Sequence, residues 1–134
     1  MMAEMKVIRP SDRDHSTTQT PGMDRAEGVG ACTSGASSVW SGHLTVAPGV
    51  RSGAHHHGPV ESAIYIISGR ARFRYGDHLE NTIEANAGDF IYVPAFIVHQ
   101  ELNASDAEPV TMIVSRGSQD NVVVNIDIPE AKED

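Results

Sequence analysis

The sequence predicts an all-β domain, a sandwich or barrel of short strands. Three observations predict it. Strand-like segments recur roughly every 8–12 residues with turn residues between them. No segment keeps a helical hydrophobic period over three turns. Twelve glycines and seven prolines supply the turns that connect such strands.

Length and charge narrow the function. A chain of 134 residues fits one domain with a real hydrophobic core. The net charge of −8 argues against nucleic acid and anionic membrane as partners. The single Cys32 excludes an intrachain disulfide framework and a cysteine-rich zinc site. No apolar run approaches the roughly 20 residues of a membrane span. The N-terminus carries no signal-peptide pattern, so the expected location is the cytoplasm.

Taken in order, residues 1–38 read as an irregular arm with a short strand at Val7-Ile8, a polar loop, and a Gly- and Ser-rich connector from Gly28 to Ser38. Residues 39–128 read as the barrel. Its first strand spans Ser38 to Val46, with Trp40, Leu44 and Val46 on one face and His43 on the other. Ser62 to Ile67 is a near-continuous apolar run, as expected of a strand buried on both faces. Arg70 to Tyr75 alternates strictly, its three arginines forming a solvated stripe or an anion-binding wall. Further strands are expected at Thr82–Ala85, Phe90–Val93, Val98–Leu102, Val110–Ser115 and Asn121–Ile128. Residues 129–134 form an acidic tail.

The chemistry concentrates in Gly53-Ala54-His55-His56-His57-Gly58-Pro59-Val60-Glu61. His55 and His57 stand two apart, so an extended strand puts both on one face, roughly 6–7 Å apart at the backbone. His56 points the other way. Imidazole and carboxylate together suit a borderline divalent metal. Glu61 lies past the Gly58-Pro59 bend, which can carry it round as a third ligand. A fourth must come from a distant strand; His15, His43, His78 and His99 are the candidates, and His99 is the best placed of them.

Gly49, five residues, His55-His56-His57, three residues and Glu61 resemble the first motif of the cupin superfamily. Gly88, five residues, Pro94, His99 and Asn103 resemble the second, and only 18 residues separate Gly69 from Gly88. The resemblance covers residues 39–116. It implies a double-stranded β-helix, or jelly-roll barrel, binding one divalent transition metal (Fe, Mn, Ni or Zn) through His55, His57, Glu61 and His99. A second version is a facial triad of His57, Glu61 and His99, with His55 a fourth ligand or a pocket residue. Two departures stand out. The family's ligand Glu sits seven residues before the motif-ending Gly, which here is Ser62, so Glu61 reaches the metal only through a bulge or a different loop. Phe96 replaces a family Gly whose φ is positive. A phenylalanine is not expected to adopt that conformation, which predicts a variant turn.

Alternation from His99 puts Glu101 on its face as a candidate catalytic acid or base, and Tyr65 is a candidate substrate-binding residue. The resulting expectation is a dioxygenase acting on a small enolisable or chelating organic molecule. The alternatives are a non-oxidative lyase, isomerase or cyclase on the same frame, or a metal-loaded module that binds without turnover. The resemblance also implies a homodimer, with Met5 to Arg9 as an exchanged strand.

Overall fold

The computed structural model describes residues 3–17 and 19–129. The expected acidic tail falls, apart from Pro129, outside the described residues. Among the described residues, ten strands form two antiparallel five-stranded sheets facing each other. In chain order they are β1 (Met23–Val29), β2 (Trp40–Val46), β3 (His55–His56), β4 (Ser62–Ser68), β5 (Arg70–Tyr75), β6 (Asn81–Asn86), β7 (Phe90–Val93), β8 (His99–Asn103), β9 (Val110–Arg116) and β10 (Val124–Asn125). The first sheet runs β1-β2-β9-β4-β7 and the second β10-β3-β8-β5-β6. This is the expected jelly roll. Among the described residues no helix is long and apolar enough to cross a membrane.

The alternating strands place the core. Leu44 and Val46 of β2, Ile64 and Ile66 of β4, and Val110 and Met112 of β9 point inward from the first sheet. Ala71 and Phe73 of β5 and Ala85 of β6 meet them from the second. With Met23, Ile91 and Val93 these side chains make up a core of twelve buried apolar residues, and polar inward residues line the rest of the space between the sheets. Burying each large apolar side chain contributes about 1.5–3 kcal/mol, enough to hold the frame without cross-links.

Several expectations need correcting. The arm is not irregular throughout: β1 lies at Met23–Val29 and pairs along β2, from Met23 opposite Val46 to Val29 opposite Ser41. Val7 and Ile8 form no strand; a 3₁₀ turn at Pro10–Asp12 follows them. Met5 to Arg9 is likewise not a strand in this chain, and Met5 and Val7 are exposed. The apolar run of β4 is buried on one face only, since Ala63 and Ile67 are exposed. Asn121–Ile128 yields only the two-residue β10. The arginine stripe faces outward: Arg72 donates to Glu84 on β6 at 2.7 and 2.9 Å, and Arg70 donates to the Ala104 carbonyl.

Phe96 does take the left-handed conformation, with φ of 61°. The turn therefore keeps the shape that a glycine would give it, at a cost of roughly 1–2 kcal/mol. The Phe96 amide donates to the Gly58 carbonyl at 2.8 Å, which fixes that shape. Its ring projects into solvent 6.1 Å from His56, away from the residues that line the cavity.

Candidate metal centre

The His segment is held from two sides. Ser52, just before it, donates from its amide to the Glu101 carbonyl at 2.8 Å and accepts from the Glu101 amide through Oγ at 3.0 Å. Gln100, fully buried, donates to the Ser52 carbonyl at 2.9 Å. β3 is thereby clamped to β8, and His55 pairs directly with His99. On the other flank β10 pairs with β3, Asn125 opposite His55. Gly58, with φ of 58°, then turns the chain away.

This clamp brings His55, His57 and His99 together. One ring nitrogen from each lies within 4.8 Å of the others. Ring centroids are 4.9 Å apart for His55 and His57, 4.5 Å for His55 and His99, and 5.2 Å for His57 and His99. The expected i, i+2 geometry is present, and His56 turns outward to accept from the Gly58 amide.

Each imidazole is fixed by a backbone carbonyl. His55 Nδ1 donates to Gly53 at 2.9 Å, His57 Nδ1 to Val122 at 2.8 Å, and His99 Nδ1 to Ile97 at 3.0 Å. A carbonyl can only accept, so each Nδ1 carries the proton and each Nε2 keeps its lone pair. Burial pushes the His57 pKa down to about 4 and lowers that of His99 as well, with the neighbouring imidazoles adding to both effects. Both rings are neutral at pH 7. Three pre-oriented Nε2 donors fit a divalent transition metal, and the carbonyls supply the outer hydrogen bonds that such ligands take.

The carboxylates divide differently from the expectation. Glu61 is not brought to the three imidazoles. It is exposed and accepts a hydrogen bond from the Tyr92 hydroxyl on β7. Ser62, the position where the family carries its Glu, lines the cavity instead. Glu101 is buried, with Oε1 3.9 Å from His99 Nε2. Tyr65 is not brought to the site either. It lies on the outer face of β4 against Phe90, with ring centroids 4.9 Å apart. Asn103 is buried beside Glu101 but donates to the carbonyls of Val46, Ala47 and Glu108, holding loops rather than lining the cavity.

His55, His57 and Glu101 open on a cavity of about 380 Å³ between the two sheets. Its other walls come from residues to which the sequence assigns no part in the site: Arg25 on β1, Trp40, Arg116 at the end of β9, and the segment from Asp120 to Val123.

A jelly-roll barrel with three converging imidazoles defines a class of metal-binding β-proteins. The chain belongs to the cupin family: the cupin domain profile matches residues 42–116. No curated protein matches the sequence. Among solved structures, an oxalate decarboxylase studied for its substrate-binding mode and reaction specificity is 24% identical with a TM-score of 0.69, over 81% of this chain and 29% of that one. An S161A mutant of the Bacillus subtilis oxalate decarboxylase is 25% identical with a TM-score of 0.70, over 81% of this chain and 29% of that one. A structure of the same enzyme concerned with its Mn(II) centres is 23% identical with a TM-score of 0.70, over 84% of this chain and 30% of that one. This chain thus spans less than a third of the length of these relatives, and the likeness is one of fold.

Proposed function

We propose that this protein is a metal-dependent cupin enzyme holding one divalent transition metal on His55, His57 and His99. The observation that carries this is the set of three Nδ1–carbonyl hydrogen bonds, which leaves three Nε2 lone pairs facing one point. Bound there, Fe, Mn, Ni or Zn would supply Lewis acidity and open positions, and the redox-active members of that set would also support oxygen chemistry. Three neutral donors leave the ion's charge uncompensated, which favours a small enolate or chelating anion as substrate. The reaction class we favour is therefore dioxygenation of an enolisable or chelating organic molecule. Glu101 is the general base: it is the buried carboxylate beside His99, on the cavity wall. Glu61 plays a surface role with Tyr92.

A second reading, a non-oxidative lyase or isomerase, is supported by the same Glu101, since a carboxyl group beside the centre can deliver a proton as well as remove one. Elemental analysis of protein purified without an affinity column tests the site, and oxygen uptake separates the chemistries. Stoichiometric iron with oxygen consumption on an enolisable substrate supports the dioxygenase. Turnover without oxygen consumption supports the lyase. Unchanged metal content in His57→Ala and His99→Ala would remove the site assignment.

The partner beyond substrate is a second copy of this chain. The outer face of the first sheet supports it, where Ala63, Tyr65, Phe90 and Ile113 line an apolar hollow and Phe90 is 76% exposed. Light scattering of the native chain against Phe90→Lys tests it, a dimer that the substitution splits being the supporting result.

A further inference from the structure

The space between the sheets is divided in two, and the divide falls between His55 and His99. Register across the second sheet sets one inward row, in which Asn125, His55, His99, Tyr75 and Asn81 stand opposite one another in turn. Asn125 and His55 line the polar cavity already described. His99 and Tyr75 line a second hollow, of about 210 Å³, and among the described residues none lines both.

This second hollow lies between β6 and β7, the outer strands of their sheets. Phe73 pairs with Ile83, so both face inward from the second sheet, and Ile91 and Val93 face them from β7. Ile97 joins them from the turn before β8. Phe73 is 3% exposed, yet its partner Ile83 is left 40% exposed. An inward isoleucine still in contact with water marks space that the protein's own side chains do not fill. A ligand that covers it gains the free energy of removing apolar surface from water.

The lining sets the chemistry of that ligand. It contains no Asp, Glu, Lys or Arg, so an ion would lose its hydration there without gaining a partner. His99 Nδ1 is already engaged by the Ile97 carbonyl. Phe73 and Tyr75 offer aromatic rings against which a further ring can pack. Of the two tyrosines in the lining, Tyr92 gives its hydroxyl to Glu61, and among the described residues the Tyr75 hydroxyl has no partner. An apolar cavity of about 150 Å³ holds benzene. The hollow here has room for one ring with a small polar substituent.

We infer that the hollow between β6 and β7 is a second ligand site, which takes a neutral single-ring aromatic of the phenol class. The ring packs between Phe73, Ile83 and Ile91, and the hydroxyl meets that of Tyr75. The site stands apart from the metal reading and does not rest on it.

The test uses the full chain, metal-free and Mn(II)-loaded, with phenol, benzoate and cyclohexanol titrated by calorimetry. Phenol should bind one per chain with the same affinity in both forms. It should bind at least about tenfold more tightly than benzoate, whose charge finds no partner, and about threefold more tightly than cyclohexanol, which has no aromatic face. Ile83→Trp, which fills the mouth, should abolish binding, and Tyr75→Phe should weaken it about fivefold, the worth of one hydrogen bond. His57→Ala should leave it unchanged. No saturable binding, benzoate binding as tight as phenol, or binding unchanged in Ile83→Trp would overturn the inference. Phenol binding that needs Mn(II) would place the ligand at the metal centre and overturn it too. So would affinity that falls as protein concentration rises with dimer formation in light scattering, since a second copy would then fill the hollow. Should Ile83→Trp fail to fold, Ile83→Asp, a charge at the same half-exposed position, decides by the same measurement.

Discussion

The Nδ1 of His57 donates to the carbonyl of Val122 at 2.8 Å, across 65 positions of chain. The candidate metal centre thus draws on the C-terminal segment as well as on the cupin motifs. The segment is anchored by the Ile126 amide, which donates to Ala54, and by Ile128, which is buried with Ala54 and Leu79. Truncation after Gln119 should leave the barrel folded and release His57. Metal affinity should fall about 10–100-fold, as when an outer hydrogen bond to a ligand is lost. Competition with a chelator of known affinity measures it.

Glu61 stands apart from the ligand place that its spacing suggests, while Glu101 lies beside His99 as strand alternation predicts. Glu61→Gln should retain full metal content, because its carboxylate meets Tyr92 at the surface. Glu101→Gln should keep the metal and lower kcat about 10²–10⁴-fold, the range for a general acid or base. Metal analysis alongside turnover separates the two, and metal loss in Glu61→Gln would return that residue to the ligand set.

Acid should destabilise the metal-free protein in a defined window. The His57 pKa is about 4 in the folded state against 6.5 unfolded. Between those values the unfolded chain binds the extra proton, so stability rises with pH there and is lost as pH falls from about 6.5 toward 4. With His57 partly solvated, the loss is of order 2 kcal/mol. His99 shifts in the same direction and steepens the loss. Urea denaturation at a series of pH values reads it, and His57→Gln should flatten the profile.

The motif residues and the wall residues differ in how they could be read. His55, His57 and His99 were legible because spacing and alternation act within single strands, and the clamp through Ser52 and Gln100 merely realises them. Arg25 was hidden because Met23–Val29 mixes Asp, Arg and Glu with small residues and lacks a clean apolar alternation. Its strand exists through six pairings to β2, a tertiary effect. Glu61 misled because the count forward from His57 crosses the Gly58-Pro59 turn, where register is lost; the count back from Gly69 runs along β4 and reaches Ser62, which lines the cavity. The positive φ of Phe96 ran against local preference because the Gly58 carbonyl holds the turn from another part of the chain.

Glu27 should prove a structural residue despite its place near Asp14 and Cys32. Its Oε1 accepts from the Trp40 indole at 2.9 Å and its Oε2 from the Thr33 amide at 2.8 Å. Glu27→Leu would strand both donors in a site where Glu27 is only 4% exposed, costing about 2–4 kcal/mol. Glu27→Gln, which keeps one acceptor, should cost less. The chain has one tryptophan, so its fluorescence reports both the denaturation midpoint and the altered surroundings of the indole.

Phe96→Gly should stabilise the fold. The native φ of 61° is strained for phenylalanine and natural for glycine, a relief of roughly 1–2 kcal/mol. The added freedom of glycine in the unfolded chain takes back about 0.4–1 kcal/mol. Little packing is lost, because the ring is 64% exposed and its nearest aromatic neighbour is His56 at 6.1 Å. The net expectation is a gain of about 0.5–1 kcal/mol in chemical denaturation, with metal content unchanged because Pro94 to His99 keeps its course. A loss of stability would mean that the exposed ring is covered by something other than solvent. The same variant measured by light scattering would then show whether a second copy of the chain is what covers it.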